Sequence, residues 1–551
     1  MRKKAYVLAL IIGGSLLILS FKPVSDYFEI AKNLDIFASL FKEVNTYYVD
    51  EIQPEELVAT GIDAMLKSLD PYTNYIPEEQ LDEYRTMTTG EYAGIGSLIG
   101  RINDENVITM PNKGFPADKA GIKAGDVIIA IDGTNVELKS TSEISKLLKG
   151  KAKTEVTITV KRYGSEEFID FKIIRGRIVI KNVPYFGMVS NEVGFIKLTD
   201  FTTDAGREVK NAFQELKSKG AKSLILDLRS NPGGLLHEAV NVCNLFLPKG
   251  SEIVSTRGKI KEWNRTYKAL NTPTDTEIPL VVLTNGGSAS ASEIVAGVMQ
   301  DYDRGVIVGR KSFGKGLVQV TRPLTYNAQL KITTAKYYTP SGRCIQSLDY
   351  SNRNEDGSVG EIPDSLKTTF KTAKGRMVFD AGGVTPDIKV QSEFLSPVTI
   401  SLIDQGLLFN YATHYYYSNS KIDPAIDFTL TDEEYEEYVN WLDSKNYDYE
   451  TRVEKDMESL IHNARSEQYY NDIKDQIEDL KESITQNKTN DLYINREQIQ
   501  HLLEENIASR YYSFTGELEA SIGNDKDIIA AVEVLTDQAA YTRILQPKNS
   551  N

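Results

Sequence analysis

Histidine is scarce in this chain: four in 551 residues, alongside two cysteines and two tryptophans. His237, His414, His462 and His501 form no HExxH motif and no clustered His/Cys spacing, which argues against a zinc hydrolase. A Ser-His-Asp arrangement would have to recruit His237, which follows a glycine turn and reads as an ordinary residue at the start of a helix. Cys243 and Cys344 are too few for a disulfide framework. They read as separate buried thiols, with pairing in an oxidising compartment left open. Basic residues are in deficit, 63 against 78 acidic, giving a net charge of −15. A nucleic-acid binder would show the opposite balance. Low-complexity segments are absent, and a hydrophobic content of 41% over this length fits three or four globular domains.

One apolar run stands out. Arg2, Lys3 and Lys4 precede an uncharged, mostly apolar stretch from Ala5 to Phe21. That is at the lower limit for a membrane-spanning helix and slightly long for a signal h-region. No small-x-small cleavage site follows, and no cysteine is placed for lipidation. The reading is an export signal retained as an inner-membrane anchor, with a cleaved signal as the alternative; either way the remainder is exported.

The most informative stretch is Asn285 to Gln319, NGGSASASEIVAGVMQDYDRGVIVGRKSFGKGLVQ. It places Ser290 in a small-residue turn at the mouth of a helix. A serine hydroxyl needs a base within hydrogen-bond reach to act as a nucleophile. Lys315 can be that base if burial lowers its pKa from about 10.4 towards neutrality. Its neighbours Phe313, Gly314, Gly316, Leu317 and Val318 supply an apolar wall and close backbone approach. If this piece is extended, Lys315 and Gln319 share a face, and the Gln319 amide oxygen can accept from the lysine amine. The Ala291 N–H, at the positive end of a helix, suits one arm of an oxyanion hole. The turn Asp227 to Gly234, DLRSNPGG, follows a strand and suggests the Gly233 N–H as the other.

These residues resemble the C-terminal processing peptidases, or tail-specific proteases, whose Gly-Ser/Thr-Ala-Ser-Ala-Ser-Glu and Phe-Gly-Lys-Gly-x-x-Gln patterns are matched almost without a break. The resemblance extends over roughly residues 35 to 390. It includes DPYTNYIP from Asp70, GFPADKAGIKAGDVIIAIDG from Gly114, YYTPSGRCIQ from Tyr337 and GGVTPD from Gly382. It implies Ser290 as nucleophile, Lys315 as general base and Gln319 as the residue orienting the lysine, with no metal or organic cofactor. It also implies a crotonase-like α/β core.

The expected organisation is α/β and multidomain: an anchor over 1–24, a helical region over 25–88, an inserted β-rich PDZ domain over 89–165, the protease core over 166–395 and a helical domain over 396–551. In the first helical region Phe37, Leu40, Phe41 and Val44 recur at helical spacing, serving either a spacer or dimer contacts in a homo-oligomer. In the PDZ segment Gly94, Ile95 and Gly96 form a loop whose N–H groups can hold a peptide's terminal carboxylate. Ser140 and Glu143 form a capping box for a helix to Leu148. Ser97 stands where a bulky apolar residue is usual in such loops. Strands at 193–198, 223–228, 280–283 and 306–308 alternate with helices at 205–216, 235–245 and 292–299, the mark of an α/β core. Beyond 395, Thr431 and Glu434 open a helix, and Val453, Met457, Leu460, Ile473, Ile477 and Leu480 keep three-four spacing.

Two other readings compete. A non-catalytic PDZ scaffold has no need of Ser290, Lys315 and Gln319 together. An acyl-transfer enzyme acting on cell-wall peptides or β-lactams could use Ser312-x-x-Lys315, but that motif opens a helix, and glycines bracket this lysine. The expected partners are proteins with exposed apolar C-termini and the membrane, with no nucleic acid. The expected location is the envelope, periplasmic or extracytoplasmic.

Overall fold

The computed structural model describes residues 22–354, 358–391, 394–445, 447 and 449–547. The anchor expected over residues 5–21 lies outside them. Among the described residues no helix is long and apolar enough to cross a membrane. Two compact units are present, one of residues 22–76 with 321–332 and one of 77–320 with 333–547.

In the first unit, helices Lys22–Tyr47 and Pro54–Lys67 are followed by a short strand, Asn74–Ile76, that pairs antiparallel with Gln329 to Lys331. Asp70 accepts from the N–H groups of Tyr72 and Thr73, which makes the Asp70-Pro71 turn that ends the helices. The helical spacing is real, but its apolar side chains do not form a core: Phe28, Leu34, Phe37 and Leu40 are all more than half exposed.

The second unit carries a six-stranded, mostly parallel sheet. Its strands lie in the order Tyr185–Met188, Val193–Lys197, Ser223–Asp227, Leu280–Thr284, Val306–Gly309 and Ile388–Lys389, parallel after the first pair. Fully buried strands alternating with helices explain the near-continuous Val/Ile/Leu runs. One face, including Leu224, Leu226, Leu280 and Val282, packs against helices Ala205–Ser218, Leu236–Phe246 and Ala291–Asp301. The other face, including Phe195, Ile225, Val281 and Val308, is covered by Ile528, Ala531 and Leu535 of helix Lys526–Thr536. The end of the expected 396–551 domain is therefore a layer packed on this sheet.

The remainder of that domain has its own core of Leu402, Tyr411, Tyr438, Leu442 and Leu503. Thr431 and Glu434 form the expected capping box. In the following helices Met457 and Ile477 are buried, whereas Val453, Leu460 and Leu480 stay exposed, so the apolar spacing there overstates the packing.

The β-rich module is a sheet ordered Ser97–Ile102, Glu105–Pro111, Val127–Ile131, Glu155–Lys161 and Phe168–Ile174. Its last strand carries the module past the expected end at 165, because Phe168 to Ile174 pairs in full with Glu155 to Lys161. Helix Thr141–Leu148 is capped by Ser140 and Glu143 in both directions.

Candidate active site

Strand Leu280–Thr284 ends in a turn that is tied to the neighbouring loop 228–234 at several points. Asn285 Oδ1 accepts from the Ser230 N–H at 2.8 Å, and Ser288 Oγ donates to the Leu228 carbonyl at 2.8 Å. The Asn231 carbonyl accepts from the Ala289 N–H at 3.0 Å and from Ser292 Oγ at 2.9 Å. Ser290, the cap of helix Ala291–Asp301, has φ +55 and ψ −110. A non-glycine residue holds such a backbone only where its surroundings over-determine it. Here its N–H donates to Glu293 Oε2 at 2.8 Å, and its carbonyl accepts from Tyr337 Oη at 3.1 Å. Burial raises the Tyr337 phenol well above its ordinary value, so it stays a donor. Ser290 is half-buried while Ser288, Ala289 and Ser292 are buried.

Glu293 is the hub. It is fully buried and accepts from the Ser290 and Lys315 N–H groups at 2.8 Å each, the Gly314 N–H at 2.7 Å and Ser312 Oγ at 2.6 Å. Because one oxygen, Oε2, takes both the Ser290 and Lys315 N–H groups, these nitrogens lie within twice 2.8 Å of each other. Burial pushes the Glu293 carboxyl up, against the opposing pull of its donors. Sequence reasoning gave this residue no role, although Ser290-x-x-Glu293 has capping-box spacing and could have flagged it.

Lys315 is half-buried between two buried glycines. A Cβ at Gly314 would lie 2.6 Å from Ser347 Cβ and one at Gly316 2.8 Å from the Gln346 N, so only glycine fits on either side. Gln319 is half-buried on strand Leu317–Pro323, and its Nε2 donates to Thr333 Oγ1 at 3.0 Å. That anchors the amide by its nitrogen end. Ser312 sits in non-helical backbone, and its hydroxyl is engaged by Glu293 and by the Val384 N–H, which removes the Ser312-x-x-Lys315 alternative. His237 projects to solvent beside Glu238. Cys243 and Cys344 are unpaired thiols.

The loop expected to supply the second oxyanion donor lies against Ser290. Its Gly233 N–H donates to Asn231 Oδ1 at 2.9 Å, inside its own turn. What requires glycine there is approach: with φ +99, an added Cβ would lie 2.9 Å from Ser290 Cβ and 2.6 Å from the Ala289 carbonyl. Ala291 is the first helical residue, where N–H groups have no intrahelical acceptor. The loop's root is charged. Burial alone would raise the Asp227 carboxyl, but Arg229 and Lys197 together hold it below its usual range.

In the β-rich module Gly94, Ile95 and Gly96 are buried, with the Ile95 carbonyl bonded to the Ala117 N–H and the Gly96 carbonyl to the Asn112 N–H. Gly96 has φ +76 and abuts Phe115, 2.5 Å from where a Cβ would stand. The strand that follows, Ser97–Ile102, is a sheet edge, pairing only with Glu105–Pro111 among the described residues. Leu98 on it is exposed.

A strained serine at a helix N-terminus, a glycine-flanked lysine held to the same carboxylate and an appended module with an open strand edge define a serine peptidase with a peptide-binding domain. Comparison with known proteins agrees. Residues 192–350 match "Peptidase family S41", 99–162 match "PDZ domain" and 398–535 match "Probable PDZ-protease, C-terminal helical domain". The chain is 41% identical over 321 residues to the "Carboxy-terminal-processing protease" of Bartonella bacilliformis, covering 58% of this chain and 73% of that one. It is 40% identical over 355 residues to the "Probable CtpA-like serine protease" of Staphylococcus aureus strain COL, covering 61% and 70%. Among solved structures, a photosystem II D1 C-terminal processing protease is 29% identical, covering 65% of this chain and 93% of that one, with a TM-score of 0.35. The chain belongs to peptidase family S41, as a C-terminal processing serine protease with a PDZ domain, a crotonase-like α/β core and a helical C-terminal domain.

Proposed function

We propose that this protease is an exported, envelope-bound endopeptidase that takes hold of protein C-termini through its PDZ domain and cleaves by a Ser290–Lys315 dyad. The observation that carries the reading is the shared Glu293 oxygen, which fixes the backbones of nucleophile and base together. Lys315 Nζ, as the neutral amine, takes the proton from Ser290 Oγ as that oxygen adds to the scissile carbonyl. The oxyanion forms beside the Ala291 N–H. Collapse breaks the C–N bond, and Lys315 returns the proton to the leaving amine. Water, deprotonated by Lys315, then attacks the acyl-enzyme ester; the acyl–Oγ bond breaks, Lys315 returns the proton to Ser290 Oγ, and the new C-terminus is freed. Gln319 orients the lysine amine through its amide oxygen.

A bound C-terminus pairs as an added strand along Ser97–Ile102, its carboxylate at the Gly94–Gly96 loop. The exposed Leu98 favours apolar tails. Arg2 to Lys4 ahead of the apolar run support an inner-membrane anchor with the catalytic domains outside. The exposed apolar residues of helix Lys22–Tyr47 support a homo-oligomer.

The test uses residues 25–551 as wild type, Ser290→Ala and Lys315→Ala, each with an unstructured protein ending in apolar residues, and mass spectrometry of the products. Cleavage by wild type alone is expected. Cleavage by Ser290→Ala would remove the nucleophile assignment.

A further inference from the structure

The loop that braces Ser290 is held from an unexpected side. Arg229, at its root, is a fork with two sets of acceptors. Nε and Nη2 donate to the two Asp227 oxygens at 3.0 and 2.8 Å. Nη1 donates to Asp525 Oδ1 at 2.8 Å and to Asp527 Oδ2 at 2.9 Å. The side chains involved are almost dry, with 15% of Arg229, 1% of Asp227, 19% of Asp525 and 9% of Asp527 exposed. Lys197 Nζ completes the cluster, donating to Asp227 Oδ2 and to the Arg229 carbonyl. Asp525 also caps helix Lys526–Thr536, accepting from the Asp527 and Ile528 N–H groups.

We propose that Asp525 and Asp527 are positioning residues for catalysis: they hold the Arg229 guanidinium and, through it, the loop 228–234 that fixes the nucleophile turn. The chain of contacts is continuous. Arg229 shares its backbone with Leu228 and Ser230, which bond Ser288 and Asn285. Asn231 bonds Ala289 and Ser292, and Gly233 abuts Ser290. Asp227 alone would leave one arm of the fork buried without an acceptor, and a planar guanidinium responds by turning. Since a displacement of about 1 Å in a catalytic group costs about 10²-fold in rate, the C-terminal helix sets turnover without touching substrate. This inference rests on Ser290 as the nucleophile.

The experiment compares the full chain with Asp527→Asn, Asp527→Glu, the pair Asp525→Asn/Asp527→Asn, Arg229→Lys alone and combined with that pair, and Asp432→Asn as a control. Asp432 pairs with Arg496 at an exposed position in the same C-terminal region. kcat and KM are measured on an unstructured protein substrate, with the rate of labelling by a fluorophosphonate and the thermal midpoint alongside. Expected is a kcat loss of about 10-fold in Asp527→Asn and about 10²-fold in the pair, with KM unchanged and labelling slowed in parallel. Asp527→Glu restores most of the rate, and Arg229→Lys adds little to the pair because both cut the same link. A folded pair variant with wild-type kcat overturns the proposal, as does a loss confined to KM or one that multiplies with Arg229→Lys. If the pair variant fails to fold, Asp527→Asn, which keeps the Asp525 cap, decides by the same readouts. Labelling of Ser290→Ala would instead sink the nucleophile assignment, independently of the clamp.

Discussion

At the Ser290 turn one buried carboxylate accepts four hydrogen bonds, and the loop beside it is pinned by Asn231, Asn285 and Arg229. On the PDZ strand Ser97–Ile102, by contrast, the working feature is an edge that pairs with nothing on one side among the described residues, and its module's core is aliphatic. The difference follows from the two tasks. The proposed acyl transfer would need the serine and the lysine held to fractions of an ångström, which a satisfied polar network can over-determine. Capture of varied C-termini needs open backbone donors and acceptors that a new strand can complete.

Substitutions should therefore separate the two regions kinetically. Ser290→Ala or Lys315→Ala should lower kcat/KM by about 10⁴-fold or more while peptide binding by the PDZ domain, read by fluorescence anisotropy, stays as in wild type. Glu293→Gln places an amide donor among four donors. It should cost about 10²-fold in kcat and about 1–3 kcal/mol of stability, read by denaturant titration. Gly233→Ala, forced against Ser290, should lower kcat by about 10²-fold with little change in KM. Gly96→Ala, forced against Phe115, should do the reverse, raising KM for protein substrates about 10-fold with kcat intact. A Gly96→Ala enzyme impaired in kcat would mean that the two regions are coupled and the contrast is too simple.

The smallest effect concerns acid. Burial raises the Glu293 carboxyl above 4.5, so on acidification it takes up a proton before an ordinary glutamate would. That proton displaces one of the four donors, and kcat should fall on an acid limb with its midpoint above 4.5. The sign for stability is opposite. A raised carboxyl contributes stability that is present below its unfolded value and lost as pH rises through the folded one. Activity should thus decline across this window without a fall in the thermal midpoint from this group. A midpoint that falls together with activity would assign the acid limb to unfolding instead.

What could be read without coordinates was local or periodic. Ser140 with Glu143 and Thr431 with Glu434 announce helix starts because both partners lie within one turn. Buried parallel strands announce themselves as unbroken Val/Ile/Leu runs, and glycines around Lys315 announce close approach. The same periodicity gave the helix at Phe37 and Leu40 but not what meets its apolar face, because spacing records which face is apolar and not whether anything covers it. The Gly233 N–H shows a related limit: a turn's sequence tells where donors lie but not which acceptor, here Asn231 Oδ1, each one meets in the folded chain.

The sequence by itself determined the reaction class, the candidate nucleophile and base, and the order of modules, since each is carried by short motifs whose chemistry needs those residue types at that spacing. Only the tertiary structure decided how the site is held. Glu293 gathers Ser290, Ser312, Gly314 and Lys315 from two segments, and Arg229 meets Asp525 across 296 positions of chain. A buried charge finds whichever partners the packing of sheet and helices brings to it, and no local pattern encodes that meeting.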